Sequence, residues 1–205
     1  MAEFVAVPFT PFPVEKFEHI VTKCTAHRPW FHDYLWKDDA MRRQAVIAYL
    51  ADAFNAGKIW ECWRGDALVG ILLVNELTPF LSARCHFLFF DSRLADKVAL
   101  CRNLMGWCFT QLPVETLRVE LPTYAHKLEH FVLKLGFRYE AENRAFSWPK
   151  QAAPLSRDDA RLGSRKHRAT LYEGVWHDLL LLSVTVDEFR EQERVHGRPV
   201  SHSPQ

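Results

Sequence analysis

ARCHFLFFDSRLADKVALCRNLMGWCFTQLPVETLRVELP, Ala83–Pro122, reads as a strand, a polar turn, a long helix and a second strand. Strands joined by a helix in this way lie parallel, because a dozen or more residues are needed to return the chain to the same sheet edge. In the first strand Cys85, Phe87 and Phe89 point to one face and His86, Leu88 and Phe90 to the other. Both faces are apolar, so the strand belongs inside a covered sheet. The helix, predicted to end at about Leu112, carries Leu94, Val98, Cys101, Met105, Cys108 and Leu112 on one stripe. Leu100, Leu104 and Trp107 widen that stripe beyond what a surface helix needs, which predicts a helix at the centre of the core.

Toward the C-terminus, a helix after Pro122 is predicted to bury Tyr124, Leu128, Phe131, Val132 and Leu135, and Gly136 supplies a left-handed stop. Phe137 to Ser147 alternates loosely as a strand. Residues 149–168 (PKQAAPLSRDDARLGSRKHR) have little to bury and read as a mobile polar insertion between paired strands. TLYEGVWHDLLLLSVTV then reads as an interior strand, followed by a short charged helix and a tail. The domain is expected to span 1–190, leaving 191–205 as tail.

Toward the N-terminus, IWECWR and ALVGILLVNE flank Gly65 and Asp66, a hairpin signal because such turns need positive φ. That turn also accounts for the Arg64-Gly65-Asp66 triplet without any adhesive role. Two helices precede the hairpin. One starts near Val14 and buries Phe17, Ile20, Val21 and Cys24; the other is capped by Asp38 or Asp39, buries Val46, Ile47, Leu50 and Phe54, and is ended by Gly57. Phe4–Val7 is a short strand stopped by prolines, and HRPWFHDYLW is an aromatic loop.

Composition narrows the class. At 205 residues, 48% hydrophobic and 25% charged, the chain supports one well-buried domain and not a disordered one. The 26 basic residues nearly cancel the 25 acidic ones, which removes any bulk drive toward nucleic acid or anionic membrane, so a phosphate partner must be held locally. Neither a signal peptide nor a membrane span is legible, and the five cysteines, with no CxxC spacing, read as reduced residues of a cytoplasmic protein.

Lys134-Leu135-Gly136-Phe137 with Arg138, Glu140 and Arg144, followed by Glu173-Gly174-Val175-Trp176-His177-Asp178 running into Leu179 to Ser183, resembles the GNAT superfamily of acyl-CoA-dependent N-acyltransferases. The HFLFF strand and the GWCF of the helix look like divergent members encoded by tailed bacteriophages. The resemblance covers roughly residues 1 to 190. It implies a single α/β domain with a central mixed sheet of about six to seven strands flanked by helices, acetyl-CoA as donor, and a small-molecule or protein amine as acceptor. For a phage-encoded chain it implies the host cytoplasm or the virion, and protein partners in the particle.

In that family the donor lies where two parallel strands splay apart, with its pyrophosphate on the amides that open the central helix, the positive end of the helix dipole. The matching positions are Phe87, Leu88 and Phe89 for the pantetheine arm and Asp91, Ser92, Arg93, Leu94 and Ala95 for the pyrophosphate. Two departures stand out. The family's Q/R-x-x-G-x-G/A turn is here Asp91 to Asp96, with Arg93 but no glycine, and Asp91 and Asp96 repel a diphosphate. The family's thiolate-protonating tyrosine falls on Val132, and its frequent asparagine on Ala125. Acid–base chemistry then falls to Tyr124 or Glu120, whose competing reading is a packed ring and a solvated strand residue. His86 reads as a satisfied core histidine more readily than as a base.

Three other readings compete. His126-Lys127-Leu128-Glu129-His130 fits the H-x-x-E-H zinc-peptidase spacing, but its histidines lie off the core stripe on a face expected in solvent, and no metal is assigned. A GNAT fold without the chemistry, as a binding or structural module of a phage particle, is favoured by the missing glycines, the missing acid and the aromatics Trp30, Phe31, Tyr34 and Trp36. The basic run Arg157, Arg161, Arg165, Lys166 and Arg168 reads as a solvated loop before it reads as a nucleic-acid contact.

Overall fold

The computed structural model describes residues 3–6, 14–26, 38–55, 59–90, 97–141 and 156–195. The chain divides into two compact units: Met1–Asn75 with Cys85–Asp96 and Thr170–Trp176, and Glu76–Arg84 with Lys97–Ala169 and His177–Gln205.

The first unit contains β1 (Glu3–Ala6), α1 (Val14–Thr25), α2 (Asp39–Asn55), β2 (Ile59–Arg64), most of β3 (Ala67–Thr78) and the second half of β4 (Ser82–Phe89). Its strands run in the order β1-β2-β3-β4, with β1, β2 and β3 antiparallel. Gly65 takes φ +57° in the β2–β3 turn, as the hairpin reading requires. The register shifts between Cys62 and Trp63, a bulge that turns the strand. Asp38 Oδ1 accepts the Met41 N–H at 2.9 Å and caps α2. The predicted end at Gly57 and the side chain of Phe54 lie outside the described residues.

Apolar spacing in α1 and α2 packs Ile20, Val21, Cys24, Val46, Leu50 and Ala53 against Ile59, Ile71, Leu73 and Leu88 of the sheet. Gly70 on β3 is needed for another reason. A Cβ there would lie 2.7 Å from the Leu88 carbonyl oxygen, so glycine permits β4 to approach β3 closely.

The second unit contains the first half of β4, α3 (Lys97–Gln111), β5 (Thr116–Pro122), α4 (His126–Lys134), β6 (Arg138–Tyr139), α5 (Arg157–Gly163), part of β7 (Arg165–Tyr172), most of β8 (Val175–Thr185) and α6 (Val186–Val195). Its strand order is β4-β5-β8-β6, and β7 pairs with β8. Ser82, Ala83 and Arg84 pair in parallel with Thr116, Leu117 and Arg118, as the strand-helix-strand reading requires, while β8 runs antiparallel to both β5 and β6. The eight strands form a mixed sheet with flanking helices, an α/β fold.

Helix α3 buries Leu100, Cys101, Leu104, Met105 and Cys108 as its stripe predicts. It also buries Arg102, whose Nε donates to Glu193 of α6 at 2.7 Å while its guanidinium lies over the Phe189 ring. Gly136 ends the segment after α4 at φ +98°, and a Cβ there would meet the Gln192 side chain at 1.7 Å. The positive φ is what favours glycine there, since the end of the Gln192 side chain can swing away.

The polar segment and the last strand differ from the sequence reading. Ser156 caps α5 by accepting the Asp159 N–H at 3.2 Å, Asp158 and Asp159 suit the helix's positive end, and Ala160 and Ser164 are buried. The Ala160 methyl and the Ser164 hydroxyl, which accepts the Ala141 N–H at 2.7 Å, dock this short helix, and composition averages hide both. The expected single strand is a hairpin that turns at Glu173 (φ +52°) and Gly174 (φ +75°). Of the strand expected over Phe137–Ser147, Arg138–Tyr139 forms and pairs with Ser183 and Leu182, Glu140 and Ala141 are helical, and residues 142–147 lie outside the described residues. Among the described residues no helix is long and apolar enough to cross a membrane.

Candidate functional site

In the second unit, β5 alternates buried Leu117, Val119 and Leu121 with outward Arg118 and Glu120. Because Arg84 pairs with Arg118 in a parallel ladder, Glu120 lies two residues further along β5 on the same face. Arg84 Nη2 meets Glu120 Oε1 at 2.8 Å and Glu76 Oε2 at 2.7 Å, with the Glu120 and Arg84 side chains about one-fifth exposed. One guanidinium between two carboxylates leaves a net negative charge, and Glu120 remains reachable from solvent.

Tyr124 sits in the turn after β5, two residues before α4 begins. Thr123 N–H donates to the Asp178 carbonyl and Ala125 N–H to that of Pro122, both at 2.9 Å, which fixes the turn. The Tyr124 ring meets the His177 ring edge-on with centroids 4.6 Å apart. Asp178, beside His177, faces His167 Nδ1 at 3.2 Å and Arg165 at 3.7 Å. Val132, at the family's acid position, is a core residue, and Ala125 is the N-cap of α4 without a side-chain hydrogen bond.

In the first unit, Leu88 of β4 is buried while Phe87 and Phe89 are partly so, and the Phe90 N–H donates to the Val69 carbonyl at 2.8 Å. His86 is partly buried. Its Nε2 lies 3.1 Å from Asn75 Oδ1 on β3, and its ring stands edge-on to Tyr49 of α2 with centroids 5.4 Å apart. Asp91, Ser92, Arg93, Leu94 and Ala95, the expected pyrophosphate turn, lie outside the described residues, as do Trp30, Phe31, Tyr34 and Trp36.

The H-x-x-E-H segment resolves by burial. His126 and His130 are exposed, as expected, but Glu129 is sealed and Leu128 is exposed, the reverse of the core stripe predicted for this helix. Arg161 of α5 meets Glu129 through Nε at 2.8 Å and Nη2 at 3.2 Å, and the Tyr139 hydroxyl donates to the same carboxylate at 2.5 Å. Burial alone pushes the Glu129 carboxyl up, but the Arg161 and Tyr139 hydrogen bonds outweigh it and hold it below the ordinary value. Burial and the Glu129 hydrogen bond raise the Tyr139 phenol. A glutamate committed to three donors cannot activate a metal-bound water. Among the described residues no cluster of His, Cys, Asp or Glu could hold a metal ion.

All five cysteines are buried and none forms a disulfide, and burial pushes the Cys24 and Cys62 thiols up to about 12 and about 11. Thiols so raised are not nucleophiles near neutral pH. Within the basic run, Arg161 and Arg165 face Glu129 and Asp178, so the run supplies internal ion pairs. An open groove of ≈ 440 Å³ lies between α3 and α6, lined by Phe109, Val186, Phe189, Arg190 and Arg194 among others.

Sequence reasoning missed Arg84, Asn75, His177 and the Glu129–Arg161 pair. The parallel register would have yielded Arg84, whereas Arg161 and His177 come from elements whose packing no local pattern encodes.

Neither a family model nor a curated protein matches the sequence. Solved structures do match the fold. The spermidine N-acetyltransferase of Vibrio cholerae, in complex with CoA and spermine, superposes with TM-score 0.63 at 12% identity, over 92% of this chain and 98% of that one. Mycobacterium smegmatis RimJ, in complex with CoA-disulfide, gives TM-score 0.61 at 16% identity over 96% and 90%. At such identities the likeness is one of fold, and the fold is that of the GNAT acetyltransferases.

Proposed function

We propose that this protein transfers an acyl group, acetyl in the first instance, from acyl-CoA to an amine by direct attack of the amine on the thioester. The observation that supports this reading is the acetyltransferase fold, matched over nearly the whole chain by structures solved with CoA or CoA-disulfide. Folds outlive their sites, so the chemistry rests on this chain's own residues. Phe87, Leu88 and Phe89 supply the main-chain edge for the pantetheine arm, and Asp91 to Ala95 the amides for the pyrophosphate. When bound, the cofactor supplies the activated thioester.

Tyr124, fixed in its turn and set against His177, is the proton donor for the departing thiolate. Glu120, one-fifth exposed and sharing Arg84 with Glu76, presents negative charge to an incoming ammonium. The polyamine of the Vibrio structure makes spermidine the first acceptor to test. Calorimetry with acetyl-CoA, followed by acetyl transfer to spermidine, n-butylamine and a lysine peptide, tests the reading: saturable binding and amide formation support it. Absence of binding at millimolar acetyl-CoA leaves the fold as a binding or structural module, the form that membership of a phage particle would take.

A further inference from the structure

Between β3, which ends at Thr78, and β4, which begins at Ser82, the chain turns through Pro79, Phe80 and Leu81. The Leu81 N–H donates to the Thr78 carbonyl at 3.1 Å, and Phe80 takes φ +62°. A proline in second place and a positive φ in third are the marks of a type II turn, whose third residue is ordinarily glycine because a side chain there is strained. Here that place holds a phenylalanine. Its N–H donates to the Pro113 carbonyl at 2.5 Å, and the Leu81 carbonyl accepts the Glu115 and Thr116 N–H groups at 3.2 and 3.0 Å. The turn is thereby clamped to the segment after α3, with Phe80 78% exposed, Leu81 60% exposed, and exposed Pro79 and Pro113 beside them. An aromatic ring held outward in a strained place adds almost nothing to the core. Single apolar residues on a surface are ordinary, whereas a rigid contiguous group of them marks an interaction surface.

The groove between α3 and α6 adjoins this turn, and both lie in the second unit. Glu115 joins them: its N–H donates to the Leu81 carbonyl and its own carbonyl accepts the Val186 N–H, at 3.2 and 2.9 Å. The floor of the groove is apolar, made by Val186 and by the Phe109 and Phe189 rings, whose centroids are 5.5 Å apart. The arginines that line it are matched on their own helix, Arg190 to Asp187 at 3.9 Å and Arg194 to Glu191 at 2.9 Å, so these four charges cancel. A neutral rim over an apolar floor suits an apolar side chain rather than an ion. The volume of ≈ 440 Å³ lies toward the small end of the ~300–1,000 Å³ typical of ligand pockets, which is room for two side chains. Within one copy of the chain Phe80 does not line the groove.

We propose that a second copy of this chain fills it: Phe80 and Leu81 of each copy enter the groove of the other in a two-fold dimer. The surface is self-complementary. A protrusion and a matching recess side by side close on a rotated copy of themselves, with each contact made twice and neither partner left to recruit a third copy. The formal charge of +1 opposes this approach little. The dimer does not depend on acyl transfer and stands whether or not acetyl-CoA binds.

Sedimentation equilibrium of the full chain, from micromolar to millimolar, tests it. Wild type is expected to reach twice the monomer mass; a wild type that stays monomeric overturns the proposal and leaves the turn to a different protein. Phe80→Gly removes the ring and relieves the turn. It is expected to weaken the dimer roughly 10²-fold, while the urea midpoint, measured where the chain is monomeric, stays at or above that of wild type. A lowered midpoint makes Phe80 a structural residue and overturns the proposal. Thr110→Arg fills the groove from an exposed position on α3 and is expected to weaken the dimer as well. Phe80→Gly keeps an open groove and Thr110→Arg keeps its protruding ring, so an equimolar mixture is expected to dimerise more tightly than either variant alone. A mixture no tighter than its components shows that turn and groove do not meet, and overturns the proposal.

Discussion

Glu120 and Glu129 lie on successive elements, β5 and α4, and each meets an arginine, yet the two carboxylates do opposite work. Glu129 is sealed, with two arginine N–H groups and a phenol as donors from parts of the chain outside its own helix. Glu120 is partly open and competes with Glu76 for a single guanidinium. A carboxylate whose acceptor sites are filled from within has no capacity left for a substrate, whereas one that shares its cation retains some. Charge identity in the sequence does not separate them; saturation of hydrogen bonds does.

Breaking the sealed pair is expected to have the largest effect. Arg161→Ala leaves a buried carboxylate with the phenol as its remaining strong donor and costs about 3 kcal/mol, seen as a lower urea midpoint. An unchanged midpoint would show that Glu129 reaches water in solution. Tyr139→Phe removes one hydrogen bond from the same carboxylate and is expected to cost about 1.5 kcal/mol in the same assay.

At the open pair, Glu120→Gln is expected to change stability by about 0.5 kcal/mol, since solvent reaches the pair and Arg84 keeps Glu76 as a partner, and to show instead as weaker acetyl transfer to spermidine. A large loss of stability there would erase the contrast between the two sites. The smallest effect expected is a difference in acid sensitivity between wild type and Glu129→Gln. The folded Glu129 carboxyl lies below its ordinary value, so its stabilisation is complete above the ordinary carboxylate range and fades as pH falls through the folded value. Midpoints measured from neutral pH into that range should fall more steeply for wild type, and parallel curves would remove Glu129 from the account.

Much of the molecule was legible because its signals are local. The β2–β3 hairpin followed from Gly65, the parallel pairing of β4 and β5 from the intervening α3, and the buried faces of α1 and α3 from their spacing. The last strand misled because the apolar run Leu179–Leu182 dominated the reading and hid the turn at Glu173 and Gly174. Of the candidate site, Tyr124, Glu120 and His86 were singled out by residue type and by their expected places at a helix start, on the parallel strand and on the central strand, while their partners His177, Arg84 and Asn75 emerged only with strand order and register.

Periodicity, turn residues and caps act between near neighbours, so the chain's own pattern dictated its elements, the parallel crossover and an α/β architecture. Which charges lie inside was decided by packing. An ionised group enters the interior only where a partner meets it, and for Glu129 that partner, Arg161, lies in a segment whose composition advertises solvent. The cost of desolvation depends on distant donors, which is why the same residue type became a structural anchor on α4 and a candidate for chemistry on β5.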